Sequence, residues 1–152
     1  MHQTFSQQRH GFSLIELMVV LVVTGILAAV AYPAFTSHLQ RSRRADATAV
    51  LTAVVQAQER YRANRNTFGS TLEAIGVTAS GITNHYTVAI SGVGEPASLV
   101  SGYEVVATAS PSSPQAGDLK CATLSIKVEG ASVSYLSSSS TGADTHATCW
   151  PH

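Results

Sequence analysis

Gly11-Phe12-Ser13-Leu14-Ile15-Glu16 opens onto an uncharged, mostly apolar run from Leu17 to Phe35, and the reading of this stretch decides the fold. As a helix, Leu14 to Phe35 measures roughly 33 Å, long enough to cross the hydrocarbon of a bilayer. Glu16 then sets one carboxylate inside an otherwise clean span. Burying an unpaired carboxylate at mid-bilayer costs roughly 2.5–3.5 kcal/mol on insertion scales, so an intramembrane Glu points to a function and to a partner for its charge. A secretory signal is the bland alternative, with Ala28-Ala29-Val30-Ala31 as its cleavage site. A plain membrane anchor explains the length of the run but neither Glu16 nor the Gly-Phe pair at its entrance.

Outward from the span, charge is unevenly placed. Six Arg (Arg41, Arg43, Arg44, Arg60, Arg62, Arg65) stand against Asp46 and Glu59 between Thr36 and Arg65, whereas beyond it only Lys120 and Lys127 face six acids. The helix is basic and the head acidic, and a net charge of zero gives no bulk attraction for a polyanion. The Arg residues just after the span, taken alone, would leave the C-terminal part inside the cell. Cys121 and Cys149 argue the other way. Two cysteines bracketing a Ser-rich segment in an exported chain form a disulfide, contributing roughly 3.5 kcal/mol by chain entropy, and place the tail in an oxidising compartment; two reduced, unrelated thiols are the alternative.

Past the apolar run, Leu39, Ala47, Val50, Leu51, Val54, Ala57 and Tyr61 recur at three- and four-residue steps, an amphipathic continuation of the helix that fades near Asn64 to Asn66. Gly25 and Pro33 interrupt the apolar half, and Pro33 is expected to kink or locally open it. A connecting region from Thr67 to about Asn84 includes a short turn at Leu72 to Ile75. Period-two alternation predicts strands at His85–Ser91, Tyr103–Ala109, Ala122–Val128 and Ser132–Leu136, with Glu129-Gly130 as a tight connection and the glycines at 92, 94 and 102 as turn residues. An antiparallel meander covering the helix stripe makes an α+β, helix-on-sheet domain. Pro111–Asp118 and Ser137–Thr148 read as loops, the second flexible and polar from Ser137 to Asp144. The six histidines show no converging ligand spacing, and no nucleophile elbow, zincin motif or phosphate loop is present, so neither a metal cofactor nor an enzyme is expected.

Gly11-Phe12-Ser13-Leu14-Ile15-Glu16-Leu17-Met18, with a short polar leader before it and Pro33 later, resembles the N-terminal signature of type IV pilins; Cys149-Trp150 near the end resembles minor pilins of the PilE type. The resemblance implies a leader at residues 1–11, cut after Gly11 by a prepilin peptidase that methylates Phe12. It further implies a transmembrane and filament-core helix at 12–35, and a head at 36–152 with its amphipathic helix at 36–65. Glu16 would pair with the new amine at Phe12 of a neighbouring subunit, Gly25 and Pro33 would let the helix unwind on extraction, and a Cys121–Cys149 disulfide would close the tail. The implied partners are the peptidase, other pilin subunits, the assembly machinery and the inner membrane before assembly, with the head periplasmic and then extracellular in a pilus that serves adhesion or twitching motility. Nucleic acid is not an expected partner, because beyond the helix the head offers only Lys120 and Lys127, and the Arg of the helix are spread around its axis and would be partly buried in a filament. A secretion-system pseudopilin and a DNA-uptake pilin are the alternatives; a pseudopilin would carry a calcium loop, for which Asp144 alone is too few ligands.

Overall fold

The computed structural model describes residues 12–150; the expected leader and the expected cleavage position at Gly11 lie outside them. Helix α1 runs from Leu14 to Arg62. The Ser13 carbonyl accepts from the N–H groups of Glu16 at 3.1 Å and Leu17 at 3.3 Å, and Glu16 in the first turn with Arg60 and Arg62 in the last suits the helix dipole. The helix continues through both Gly25 and Pro33. Pro33 thus removes one donor without ending it, and just beyond it the hydroxyls of Thr36 and Ser37 donate back to the carbonyls of Pro33 and Ala34. The chain divides within α1 into two units, parting between His38 and Leu39.

In the first unit the described side chains are exposed from Phe12 to Phe35. In the second, the stripe expected from the sequence is buried at Ala47, Leu51, Val54 and Ala57 and joins one apolar cluster with the sheet. Four antiparallel strands stand in sequence order: β1 (Tyr86–Val93), β2 (Ser98–Ala109), β3 (Thr123–Glu129) and β4 (Ser132–Ser138). Register aligns Ile90 with Val105 and Val105 with Ile126, so alternate residues of each strand build one face. Tyr103, Val105, Ala107, Leu124 and Ile126 on that face are essentially inaccessible to solvent.

The meander matches the sequence reading, with corrections at its glycines and serines. Gly92 lies inside β1 and Gly102 inside β2, and neither is a turn residue. A Cβ on Gly102 would strike the Val128 carbonyl oxygen, and one on Gly92 would come within 2.6 Å of the Ser98 backbone, so both mark close backbone approach. The β3–β4 turn falls one residue later than expected, at Gly130-Ala131, where Gly130 takes φ of 60°. Ser137 and Ser138 belong to β4, with Ser137 buried. A 3-10 turn at Pro114–Gly117, capped by the Ser113 hydroxyl, breaks the loop before β3, and a one-turn helix α2 (His146–Cys149) follows β4.

Between α1 and β1, the segment 63–85 is held by buried Phe68, Ile75 and Ile82. The Phe68 ring lies 4.8 Å from that of Tyr103, and the Arg62 guanidinium sits 4.4 Å from the centre of the same Phe68 ring. Residues 72–76 form a hydrogen-bonded turn, with Val77 N–H donating to the Leu72 carbonyl at 2.9 Å.

Candidate functional site

The N-terminal unit presents its chemistry on the first turn of α1. Phe12 is 77% exposed and Glu16 stands one turn on, with no ion-pair partner among the described residues. From there the helix shows apolar side chains all round: Leu14, Leu21, Val30 and Tyr32 are each more than 70% exposed, and the most apolar window of α1 has a mean hydropathy of 2.7 with none of it buried. A helix that is apolar on every side is stable only in lipid or among other helices. A Cβ on Gly25 would meet nothing within 4 Å, so the surface there is open to close approach by another helix.

In the second unit the tail is closed by the Cys121–Cys149 disulfide, with Cα atoms 5.8 Å apart. The bond sits on a polar latch that links helix, loop and tail. Arg44 Nη1 donates to Asp118 Oδ2 at 3.0 Å and contacts Cys121 Sγ at 2.7 Å, while Gln115 Nε2 donates to Asp118 Oδ2 at 3.0 Å. Burial pushes the Asp118 carboxyl above the usual carboxylate range, a shift that the Arg44 charge opposes but does not reverse. Burial, with the Asp118 charge adding to it, likewise pushes the nearby Tyr86 hydroxyl up to about 12.

Sequence reasoning paired the cysteines but missed this latch and a second one at Gln58. That side chain is fully buried, and its amide clamps the Gly69 backbone: Nε2 donates to the Gly69 carbonyl at 2.8 Å, and Gly69 N–H donates to Oε1 at 2.7 Å. Polar residue type hides such positions in a sequence. The Ser-rich segment is also more ordered than its composition implies. Ser139 Oγ accepts from the N–H groups of Thr141 and Ala143, Ser140 N–H reaches the Leu119 carbonyl at 2.9 Å, and the Trp150 indole N–H donates to the Leu136 carbonyl at 2.8 Å. Among the described residues no three His, Cys, Asp or Glu side chains gather in a metal-holding cluster.

The exposed N-terminal helix with a carboxylate in its first turn, followed by a helix-on-sheet head with a stapled tail, agrees with two family models. The prokaryotic N-terminal methylation motif matches residues 6–32. The model described as type IV minor pilin ComP, DNA uptake sequence receptor, matches residues 33–125, more than half of the chain. The chain belongs to the type IV pilin family. Among curated pilins it is 36% identical over 72 residues to the type IV major pilin protein PilA of Myxococcus xanthus, covering 47% of this chain and 33% of that one. It is 36% identical over 70 residues to the type IV major pilin protein PilE of Neisseria gonorrhoeae, covering 46% and 42%. The type II secretion system core protein G of Pectobacterium carotovorum is 28% identical over 68 residues, covering 45% and 44%. These matches span a third to under a half of each relative's own length.

Proposed function

We propose that this pilin is a structural subunit of a type IV pilus, an interaction protein rather than an enzyme. It is made as a prepilin held in the inner membrane by residues 14–35 and cut after Gly11 by prepilin peptidase. The assembly machinery then lifts it, head outward through the periplasm, into an extracellular filament used for adhesion or twitching motility. The observation that carries the reading is a helix apolar on every side, 0% buried over its most hydrophobic window, with a single carboxylate in its first turn. In a bundle of such helices Val19, Val20, Val22, Val23 and Ile26 trade lipid for neighbours, and Gly25 and Pro33 let the helix loosen on extraction. The Phe12 amine, positive near neutral pH, offsets the buried charge of a neighbour's Glu16 and fixes axial register, because a displaced subunit leaves two charges unpaired. The disulfide-closed tail supports a pilus rather than a secretion-system filament.

The test is Glu16→Ala in cells that assemble the wild-type chain into sheared filaments. The variant is expected to insert, to be cut to a mature mass beginning at Phe12, and to be depleted from filaments; entry at wild-type levels refutes the pairing. A second reading, DNA uptake, is favoured by the description of the family model that matches residues 33–125. Lys120 and Arg60 are exposed cations without a carboxylate partner among the described residues. Retained piliation with lost DNA uptake in cells lacking the chain selects this role over a shaft subunit.

A further inference from the structure

Strand β4 carries the core-side face of the sheet beyond the cover that α1 provides. Cross-strand register places Tyr135 beside Ile126 and Val133 beside Val128, whose side chains are 1% and 5% exposed, yet Tyr135 and Val133 are both 48% exposed. An open groove of about 760 Å³ lies here. Ala45, Ala49 and Ala53 of α1 form one wall, their methyl groups four residues apart on a single helix face, and Tyr135 with Trp150 forms the other. The two aromatic rings meet edge-to-face at 5.1 Å, and the indole N–H is spent on the Leu136 carbonyl, which holds that wall in place.

No Lys, Arg, Asp or Glu lines this cavity. Its neighbour along the helix shares Ala45, Thr48 and Trp150 and ends at Arg41 and Arg44. This trough of alanines and aromatic rings, lined also by Thr48, Thr52, Gln56 and His146 and basic at one end, does not fit a polyphosphate, which requires several cations along its length. It fits an apolar projection flanked by a carboxylate. Among the described residues the only ion pairs are Arg44–Asp118 and Lys127–Glu129. Arg41 at the end of the trough is therefore left without a carboxylate, while Glu73 and Glu95 stand exposed elsewhere in the head without a cation. A second head offers exposed carboxylates of this kind, and a groove that ends at Arg41 can receive one of them.

We propose that this groove is a docking site for the head of a second copy of this chain. The inference rests on the filament reading and names the neighbour that one part of the head receives. A concave groove cannot be its own complement, so the contact joins two different surfaces; repeated from copy to copy, such a contact generates an open helix rather than a closed dimer. The basic end sets the orientation of the incoming head, and the apolar walls exclude water from the contact.

A photo-reactive p-benzoylphenylalanine replacing Ala53 in the full chain, irradiated in intact filaments, is the direct test. A cross-linked species of twice the subunit mass, with every peptide from this chain, is expected, and little of it from a probe at Thr87 on the opposite sheet face. An adduct with any other protein, or none from Ala53, overturns the proposal. Ala49→Trp fills the trough from an exposed helix position and is expected to keep the Cys121–Cys149 bond and the thermal midpoint while entering filaments about tenfold less well; wild-type incorporation also overturns it. Absence of the wild-type chain from sheared filaments would take down the filament reading and this inference together, whereas its presence with a silent Ala53 probe removes the groove alone.

Discussion

Gln58→Leu removes the clamp on Gly69 and puts an apolar side chain of similar size in its place. In the native head the amide makes bonds of 2.8 and 2.7 Å to both backbone groups of Gly69, a buried residue with no other hydrogen bond among the described residues. Leu leaves one N–H and one C=O buried and unpaired, at about 1–3 kcal/mol each. Better burial of the apolar side chain recovers part of this, so the net loss is about 2–5 kcal/mol, a large share of the ~5–15 kcal/mol that stabilises a typical domain. Gln58→Glu separates pairing from packing. Its carboxylate still accepts from Gly69 N–H but sets charge against the Gly69 carbonyl; once protonated, it donates to that carbonyl and restores the clamp. Burial raises the folded-state pKa of this glutamate above its unfolded value, so its stabilising contribution is present at low pH and lost as pH rises through the folded pKa. Urea unfolding of the detergent-solubilised chain, followed by the single tryptophan, Trp150, reads all three proteins at pH 4.5 and 7.5. The Glu variant is expected to gain on wild type as the pH is lowered and the Leu variant to show no such gain. A Leu variant within about 0.5 kcal/mol of wild type, or a Glu variant indifferent to pH, refutes the reasoning.

Opening the Cys121–Cys149 bond, by reduction or by Cys149→Ser with Cys121→Ser, is expected to cost about 2–5 kcal/mol and to expose Trp150, seen as a red-shifted emission in the same unfolding series. Asp118 has a folded-state pKa raised by burial, so its linkage favours the folded head below the ordinary carboxylate range and fades as pH rises. Wild type is therefore expected to gain stability relative to Asp118→Asn on acidification from pH 7 to pH 4, and a relative loss would show that the Arg44 charge, not burial, dominates this site.

Helix and sheet were legible because each follows a period that burial imposes: Ala47, Leu51, Val54 and Ala57 at helical steps, and Val105, Ala107, Leu124 and Ile126 at alternate positions. Glu16 was legible because a charge within an apolar run has no local explanation. What the sequence hid depends on contacts far apart in the chain. Gln58 and Gln115 are of a type that is mostly exposed, and only Gly69 and Asp118 explain their complete burial. β2 starts five residues before its predicted beginning because Ser98, Ser101 and Gly102 dilute the strand signal of Leu99 and Val100, while Phe68 N–H on the Leu99 carbonyl and Gly130 N–H on that of Ser101 hold the segment. The trough beside Tyr135 is likewise invisible in one dimension, since Tyr135 alternates as a core residue should, and only the reach of α1 leaves it uncovered.

The tail's hold on β4 has a consequence for the outer edge of the sheet. β4 ends the sheet, and a bare outer strand is a template on which foreign strands grow. Here residues 144–150 cover the far end of that strand: Trp150 takes the Leu136 carbonyl, Thr145 takes that of Ser137, and Asp144 bridges Ser138. The disulfide at Cys149 tethers this cover one residue from the indole. The Cys121–Cys149 bond thereby keeps the far end of this edge occupied, and its reduction is expected to open Leu136 to Ser138 to pairing with other strands.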